Sequence, residues 1–501
     1  MHQLLTDGAN RYPDRPAFTW VDRERTVTYE QMVVMMERAA GAFASVGVER
    51  GDRVCIFAHN GLDYLAGMFG AWRIGAIAAL VNVQYAAELE YYLADHDPKA
   101  ILYTHDHHVT VERARIAAPS LTHSLCMDGL MEGSLSWPDL TAAALPVPVD
   151  TSADGDPAHL SYTSGTSGRP KGAVIAHEPT MRATRCIAER LRMSHDDVTF
   201  GPTALSSSYQ LVANLLPGLH HGCHVHVMGK WSASTGVDAL VASGATMLAA
   251  NPIVLTDVLS EARLRGGAPP QLRMGVSGGG PVPPSLKRAW RDELELPLVE
   301  SYGQSELGGF VALAAPSLPA DDADIAAIGR PLPDKEVRIL DDDGNETPIG
   351  TPGEICLRGG YMWGYWGRAD KTAEATRGDW LHTGDIGVMD ETGRVRLRSR
   401  LSERLTVGGR YWYPRDVEEA LLDGDGVQLA AVVGVPDETL GQRPVAYLVT
   451  LGEVDVAAVV EQARTKTTLP LELLDVRTLV EMPMTPTGKI AKSELAALAV
   501  R

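Results

Sequence analysis

Residues 161–172 read SYTSGTSGRPKG, a run of hydroxyls and glycines that closes on one lysine. Glycine lets backbone N–H groups approach a ligand closely, Thr163, Ser164, Thr166 and Ser167 add hydroxyl donors, and Lys171 adds charge. The chemistry these types suit is the holding of an oxyanion. Spacing excludes two familiar phosphate loops. A Walker A loop needs GxxxxGK followed by Ser or Thr, whereas Gly165 and Gly168 precede Arg-Pro-Lys171-Gly, and the GxGxxG dinucleotide fingerprint fails as well.

Such a loop needs regular elements to position it. The spacing predicts helices over 29–46 and 62–75 with a strand-like RVCIFA at 53–58 between them, the alternation of α/β units around mostly parallel strands. After Pro331 the character changes, and VRILD, the turn residues DDDGNETPIG and GEICLRG read as a hairpin in a small β-rich section. Near Ser399 the chain passes through SRLSERLTVGGRYWYPRD into an apolar-periodic VEEALL and a strand-like VQLAAVVGV. The expected division is a large N-terminal domain over 1–399 and a small α+β C-terminal domain over 400–501.

With 501 residues, 45% of them hydrophobic and 22% charged, the chain can bury large cores in two or more domains. A net charge of −19 opposes nonspecific attraction to nucleic acid or an anionic membrane, so any anion must be met by a local site. Five scattered cysteines without CxxC spacing fit reduced thiols of a cytoplasmic protein. The N-terminus lacks the basic start and apolar run of a signal peptide, and the most lipid-like stretch, Leu65 to Val83, carries Arg73 and several glycines, which argues for a buried helix-to-strand passage and no membrane span. The acidic run Asp341 to Glu346 lacks the EF-hand spacing and reads as a solvated turn. His220, His221, His224 and His226, with Cys223, invite a zinc reading, but HVHVM alternates with the period of a strand, and a strand is the better account.

Further runs follow in order: SGGGP at 277–281, SYGQSELGG at 301–309, WLHTGDIG at 380–387, SRLSE at 399–403 and PMTPTGKIAKSEL at 483–495. Together with the opening loop, and with PDRPAF at 13–18 and GDRV at 51–54, they resemble the adenylate-forming superfamily of acyl-CoA synthetases, luciferases and peptide-synthetase adenylation domains. The acyl-CoA synthetase and aryl-CoA ligase branch is the one resembled. That resemblance implies ATP at the 161–172 loop, with Gly279, Gly280, Ser301 and Gly303 lining the nucleotide site. It makes Tyr302 the residue stacked on adenine, Ser305 the contact to the α-phosphate and Glu306 the Mg²⁺ ligand. Asp385 would take the ribose hydroxyls with Arg400 beside it, and Lys489 would be the catalytic lysine. The chemistry is apt: Mg²⁺ prefers carboxylate and phosphate oxygens, and a carboxylate suits a vicinal diol.

The implied reaction joins a carboxylate to the α-phosphate of ATP, releases pyrophosphate, and passes the acyl group to coenzyme A. The resemblance further implies that the C-terminal domain is mobile, turning about Glu403 to exchange the Lys489 loop for the Gly408-Gly409 face along a pantetheine channel. The chain departs from the family at Ser402 and Glu403, where relatives carry Lys and Asp, and at Leu205 or a neighbouring serine, where many carry a gating His. Ser206, Ser207, Ser208, Tyr209 and the Gly278-Gly279-Gly280 strand end are the expected acyl pocket, with glycines leaving room. No aspartate stands where amino-acid-activating relatives bind the ammonium, so an aryl, arylacrylic or medium-chain acid is favoured. The alternatives are transfer to a separate carrier protein, a non-thiol acceptor or another oxyanion as in ATP-dependent diazotases, and a noncatalytic nucleotide-binding homologue.

Overall fold

A computed structural model of the chain describes residues 1–147, 152–163, 169–280, 282–464, 466–467, 470–484 and 490–500. Thr28 opens the first long helix, Tyr29–Ser45: its hydroxyl accepts from the Gln31 N–H at 3.2 Å while the Gln31 side chain accepts from the Thr28 N–H at 2.9 Å. This reciprocal cap satisfies donors that a helix start otherwise leaves bare. Helix Leu62–Arg73 is buried almost all round, and it crosses the first helix at Gly70, where a Cβ would lie 2.7 Å from Ala39 Cβ.

Four sheets organise the described residues. The first has seven strands, in spatial order Leu135–Ser136, His123–Cys126, Ala100–Tyr103, Arg53–Phe57, Ile77–Leu80, Pro157–Tyr162 and Gly172–Ala176, parallel except for the last pair. The second has nine and includes Val198–Gly201, Met247–Ala250, Met274–Ser277 and Leu298–Tyr302, consecutive parallel neighbours. Their near-continuous apolar burial is what a sheet covered on both faces requires. The third is antiparallel, and there Glu336–Leu340 pairs with Gly353–Arg358 as the hairpin reading expects. Strands Trp380–Met389 and Val395–Arg400 belong to the same sheet. The fourth contains Leu405–Val407, Arg410–Trp412, Val427–Asp437, Gly441–Thr450 and Asp475–Thr478. The chain leaves the third sheet at Arg400 and enters the fourth at Leu405 through one 3-10 turn, Leu401–Glu403.

Helix Pro414–Leu422 docks on the body through charge. Arg415, buried, reaches Glu300 of strand Leu298–Tyr302 at 3.3 Å and Glu419 at 2.6 Å, and Glu300 also pairs with Lys287. Arg396 reaches Glu419 at 2.9 Å, and Arg288 and Arg398 meet Asp423 and Asp416. No helix of the described residues is long and apolar enough to cross a membrane.

Four histidines are held neutral by burial, which pushes His96 and His226 down to about 3 and His159 and His224 to about 4. Unfolded imidazoles titrate near 6.5, so below that pH the unfolded chain takes up protons that the folded one refuses. Stability is therefore intact above about pH 6.5 and falls as the pH drops toward 4, by about 1.4 kcal/mol per pH unit for each such histidine. Calorimetric Tm is expected to fall steeply between pH 7 and pH 5, with a shallower slope for His159→Leu; a flat Tm would contradict this account.

Candidate active site

The 161–172 run joins two strands of the first sheet. Pro157–Tyr162 enters it and the antiparallel Gly172–Ala176 leaves it, and the Thr163 N–H donates to the Lys171 carbonyl at 3.0 Å to extend the ladder. The run therefore connects two antiparallel neighbours of the sheet, and its hydroxyls and Lys171 are the groups it offers an anion. Ser164, Gly165, Thr166 and Ser167 lie outside the described residues. At its base the Tyr91 hydroxyl donates to the Pro170 carbonyl at 2.5 Å, and the Arg169 guanidinium lies over the Tyr91 ring.

A segment that the sequence did not single out completes this base. Residues 363–366 run beside Gly172–Ala176, with Trp363 and Trp366 N–H groups donating to Val174 and Gly172 carbonyls at 3.0 and 2.8 Å. They set Tyr365 under Lys171, whose ammonium lies 4.1 Å from the ring centroid. The Tyr365 hydroxyl then donates to Glu306 Oε1 at 2.7 Å. Lys171 and Glu306, far apart in the chain, are thereby joined through one ring. Among the described residues no second bond is made by the Glu306 carboxylate, which leaves an oxygen for a hard cation.

Asp385 is the convergence point of the other half. Strand register puts Asp385 directly opposite Arg400, and Arg400 Nε lies 3.0 Å from Asp385 Oδ1. The Tyr302 hydroxyl and the Gln304 amide donate to Oδ2 at 2.5 and 2.7 Å. Burial raises the Asp385 carboxyl, with Arg400 and the two donors opposing it. Burial and the same carboxylate push the Tyr302 phenol far up, so Tyr302 stays a donor. Gln304 stands inside the quoted 301–309 run, yet nothing in its position forecast this bond. Ser305 and Glu306 lie half-buried in the turn that follows. Ser301 spends its hydroxyl on the Ser277 carbonyl at 2.9 Å, and a Cβ on Gly303 would meet the Gly309 carbonyl at 2.9 Å, so both brace this strand end.

On the acyl side the structure qualifies the expectation of open glycines. A Cβ on Gly278 would lie 2.4 Å from Ser301 Oγ and 2.8 Å from the Tyr209 ring, so Gly278 permits close packing and adds no room. Gly279, at φ +76°, and Gly280 face open space. Tyr209 is a buried pillar whose hydroxyl donates to the Val276 carbonyl at 2.8 Å, while Ser206 and Ser207 are half-buried ahead of it. Asn60 clamps the approach to these residues, donating to the Thr203 and Met228 carbonyls at 2.9 Å each and accepting from the Leu205 N–H at 2.8 Å. Leu205, which with a neighbouring serine is a candidate for the gating place, is buried.

The helix beyond widens into a π turn at Leu211–Leu215, a distortion often found at functional sites. Gln210 and Asn214 are fully buried beside it. Gln210 Nε2 donates to the Gly201 carbonyl at 3.1 Å, but Gln210 Oε1 and both polar atoms of the Asn214 amide have no partner among the described residues. These amides were missed because each reads as a lone polar residue in an apolar helix.

In the C-terminal unit Gly408 and Gly409 form the two-residue tip between strands Leu405–Val407 and Arg410–Trp412, both exposed and at φ +59° and +75°. That geometry matches the primed turns that glycine favours. Glu403 is paired with Lys492 at 2.7 Å, and Lys492 also reaches Glu418 at 2.8 Å. Lys489 lies outside the described residues. The ends of its loop meet through an antiparallel bridge between Met484 and Ile490.

The chain matches the profile of AMP-binding enzymes over residues 5–366 and that of the AMP-binding enzyme C-terminal domain over 416–489. It is 30% identical to a fatty acid–[acyl-carrier-protein] ligase, ScoC, of Streptomyces coeruleorubidus, over 98% of this chain and 95% of that one. It is likewise 30% identical to a feruloyl-CoA synthase of an Amycolatopsis species, over 94% of this chain and 93% of that protein. The fold superposes on the crystal structure of the anthranilate CoA ligase AuaEII with anthranoyl-AMP at a TM-score of 0.91 and 24% identity, covering 100% and 97% of the two chains. The α/β body and the small C-terminal unit agree with those matches, and the chain belongs to the AMP-binding enzyme family.

Proposed function

We propose that this enzyme is an AMP-forming carboxylate–CoA ligase. The observation that carries the reading is the buried convergence of Tyr302, Gln304 and Arg400 on Asp385, an acceptor centre for a ribose diol, flanked by the Lys171–Tyr365–Glu306 chain. A carboxylate oxygen bonds the α-phosphorus of ATP and the bond to the bridging oxygen breaks, releasing pyrophosphate. The thiol sulfur of CoA then bonds the acyl carbon, and AMP leaves with the carboxyl oxygen.

In the first step anion meets anion, so cationic and hydrogen-bonding groups must face the developing charge. We assign that task to Lys489, Lys171, Ser305 and the 163–167 hydroxyls and amides, with Tyr302, Gly279 and Gly280 against adenine. Glu306 would hold Mg²⁺, which when bound neutralises phosphate charge. The second step follows rotation of residues 400–501 about Glu403, bringing the Gly408-Gly409 tip toward the site. Five free cysteines support a reducing, cytoplasmic setting. Gln210 Oε1 and the Asn214 amide, without partners among the described residues, support an acid that carries a hydrogen-bonding group on an aryl, arylacrylic or medium-chain body.

A carrier-protein acceptor is the second reading, favoured by the likeness to ScoC. Mass spectrometry of reactions with Mg-ATP and a panel of acids, with and without CoA, separates the two. Acyl-CoA with AMP is expected; acyl-adenylate without thioester would move the acceptor to a carrier or a non-thiol.

A further inference from the structure

Outside this site three side chains gather as metal ligands do. His59 Nε2 lies 2.8 Å and His107 Nε2 3.6 Å from the same oxygen of Asp106, and the donor atoms of all three lie within 4.8 Å of one another. A tetrahedral ion with bonds of roughly 2.0–2.2 Å needs donors about 3.3 Å apart, inside this spread. His107 Nε2 is shielded from solvent and has no hydrogen-bond partner among the described residues. Its ring packs on Phe57 with centroids 4.9 Å apart.

The place of the cluster in the fold is also telling. Strand Arg53–Phe57 has the next strand in the chain, Ile77–Leu80, on one side and the one after that, Ala100–Tyr103, on the other, both parallel to it. Strand order reverses between Arg53–Phe57 and Ala100–Tyr103, and the carboxyl ends at such a reversal open a crevice that α/β proteins use for ligands. His59 stands just past the first of these strands, and Asp106 and His107 stand in the turn His105–His107 just past the second. Two other candidates are weaker. Glu354, Cys356 and His382 also cluster, but Arg377 Nη2 lies 2.8 Å from His382 Nδ1, and burial with Glu354 pushes the Cys356 thiol up to about 12. His224 of the histidine-rich strand spends Nε2 on Thr19 Oγ1 at 2.8 Å.

We propose that His59, Asp106 and His107 bind one divalent transition-metal ion of the zinc type, with the fourth position left to water. Imidazole and carboxylate select Zn²⁺, Co²⁺ or Ni²⁺ over Mg²⁺. The ion pins the loop whose next residue, Asn60, clamps the approach to Ser206–Tyr209, so it braces the acyl side without touching nucleotide.

Calorimetric titration of the EDTA-stripped full-length protein with zinc chloride tests this independently of any activity. One zinc per chain is expected, retained in millimolar Mg²⁺, raising Tm, and weakened at least tenfold in both His59→Ala and His107→Ala. Circular dichroism of each variant checks its fold, and a Co²⁺ titration followed by visible absorption gives a second reading of the same ligands. No stoichiometric binding, or binding unchanged in these variants and lost in His224→Ala or His382→Ala, overturns the assignment.

Discussion

Replacing Lys489 with alanine is expected to lower adenylate formation by about 10²–10³-fold, the usual effect of removing one group aimed at developing oxyanion charge, and to spare thioester formation from a preformed acyl-adenylate. The lysine belongs to a loop closed at its base by the Met484–Ile490 bridge, and just beyond it Lys492 ties the start of helix Lys492–Ala499 to Glu403 and Glu418. The C-terminal unit therefore carries loop and turn as one piece, and withdrawing the loop withdraws the charge. Pyrophosphate exchange reads the first half-reaction; CoA added to synthetic acyl-adenylate reads the second. Equal loss in both would remove Lys489 from the adenylation step.

Asp385→Ala is expected to weaken ATP binding and to destabilise the body at once. The carboxylate satisfies Arg400, the Tyr302 hydroxyl and the Gln304 amide together; truncation strips Arg400 and Tyr302 of this acceptor, while the Gln304 amide keeps the Thr383 carbonyl at 2.8 Å. Tyr302 is buried and cannot recruit bulk water, whereas Arg400 keeps 38% of its side-chain surface exposed and can. The stability loss is accordingly put at about 1–3 kcal/mol, below that of a fully desolvated pair. Asp385→Asn keeps an acceptor for one donor and should recover part of the Tm while ATP affinity, read by titration calorimetry, remains low. Wild-type ATP affinity in both variants would sink the ribose assignment.

What could be read ahead of the structure was whatever the chain carries in contiguous runs. The 161–172 loop, the 301–309 turn and the alternation of helix Tyr29–Ser45, strand Arg53–Phe57 and helix Leu62–Arg73 are local patterns of residue type and period. Tyr365 escaped because its role arises only when residues 363–366 lie against Gly172–Ala176, a pairing that no local signal announces. Gly278 reads as open space in sequence and proves to be filled by Ser301 and Tyr209, since a glycine records that a side chain is absent and not what takes its place. Histidines show the same limit: the dense run at 220–226 drew attention, while His59 and His107 meet through strand order, which the chain does not spell out.

Strand Leu298–Tyr302 carries Glu300, which receives Arg415 from the C-terminal unit, and two residues on, toward the same face, Tyr302, which holds Asp385. On the proposed function, nucleotide occupancy and placement of the C-terminal unit are thus two loads on a single five-residue beam. Thermodynamic reciprocity then ties them: the factor by which a bound nucleotide biases one placement over another equals the factor by which that placement alters nucleotide affinity. A charge reversal at Arg415 is therefore expected to change nucleotide affinity as well as the placement of the C-terminal unit.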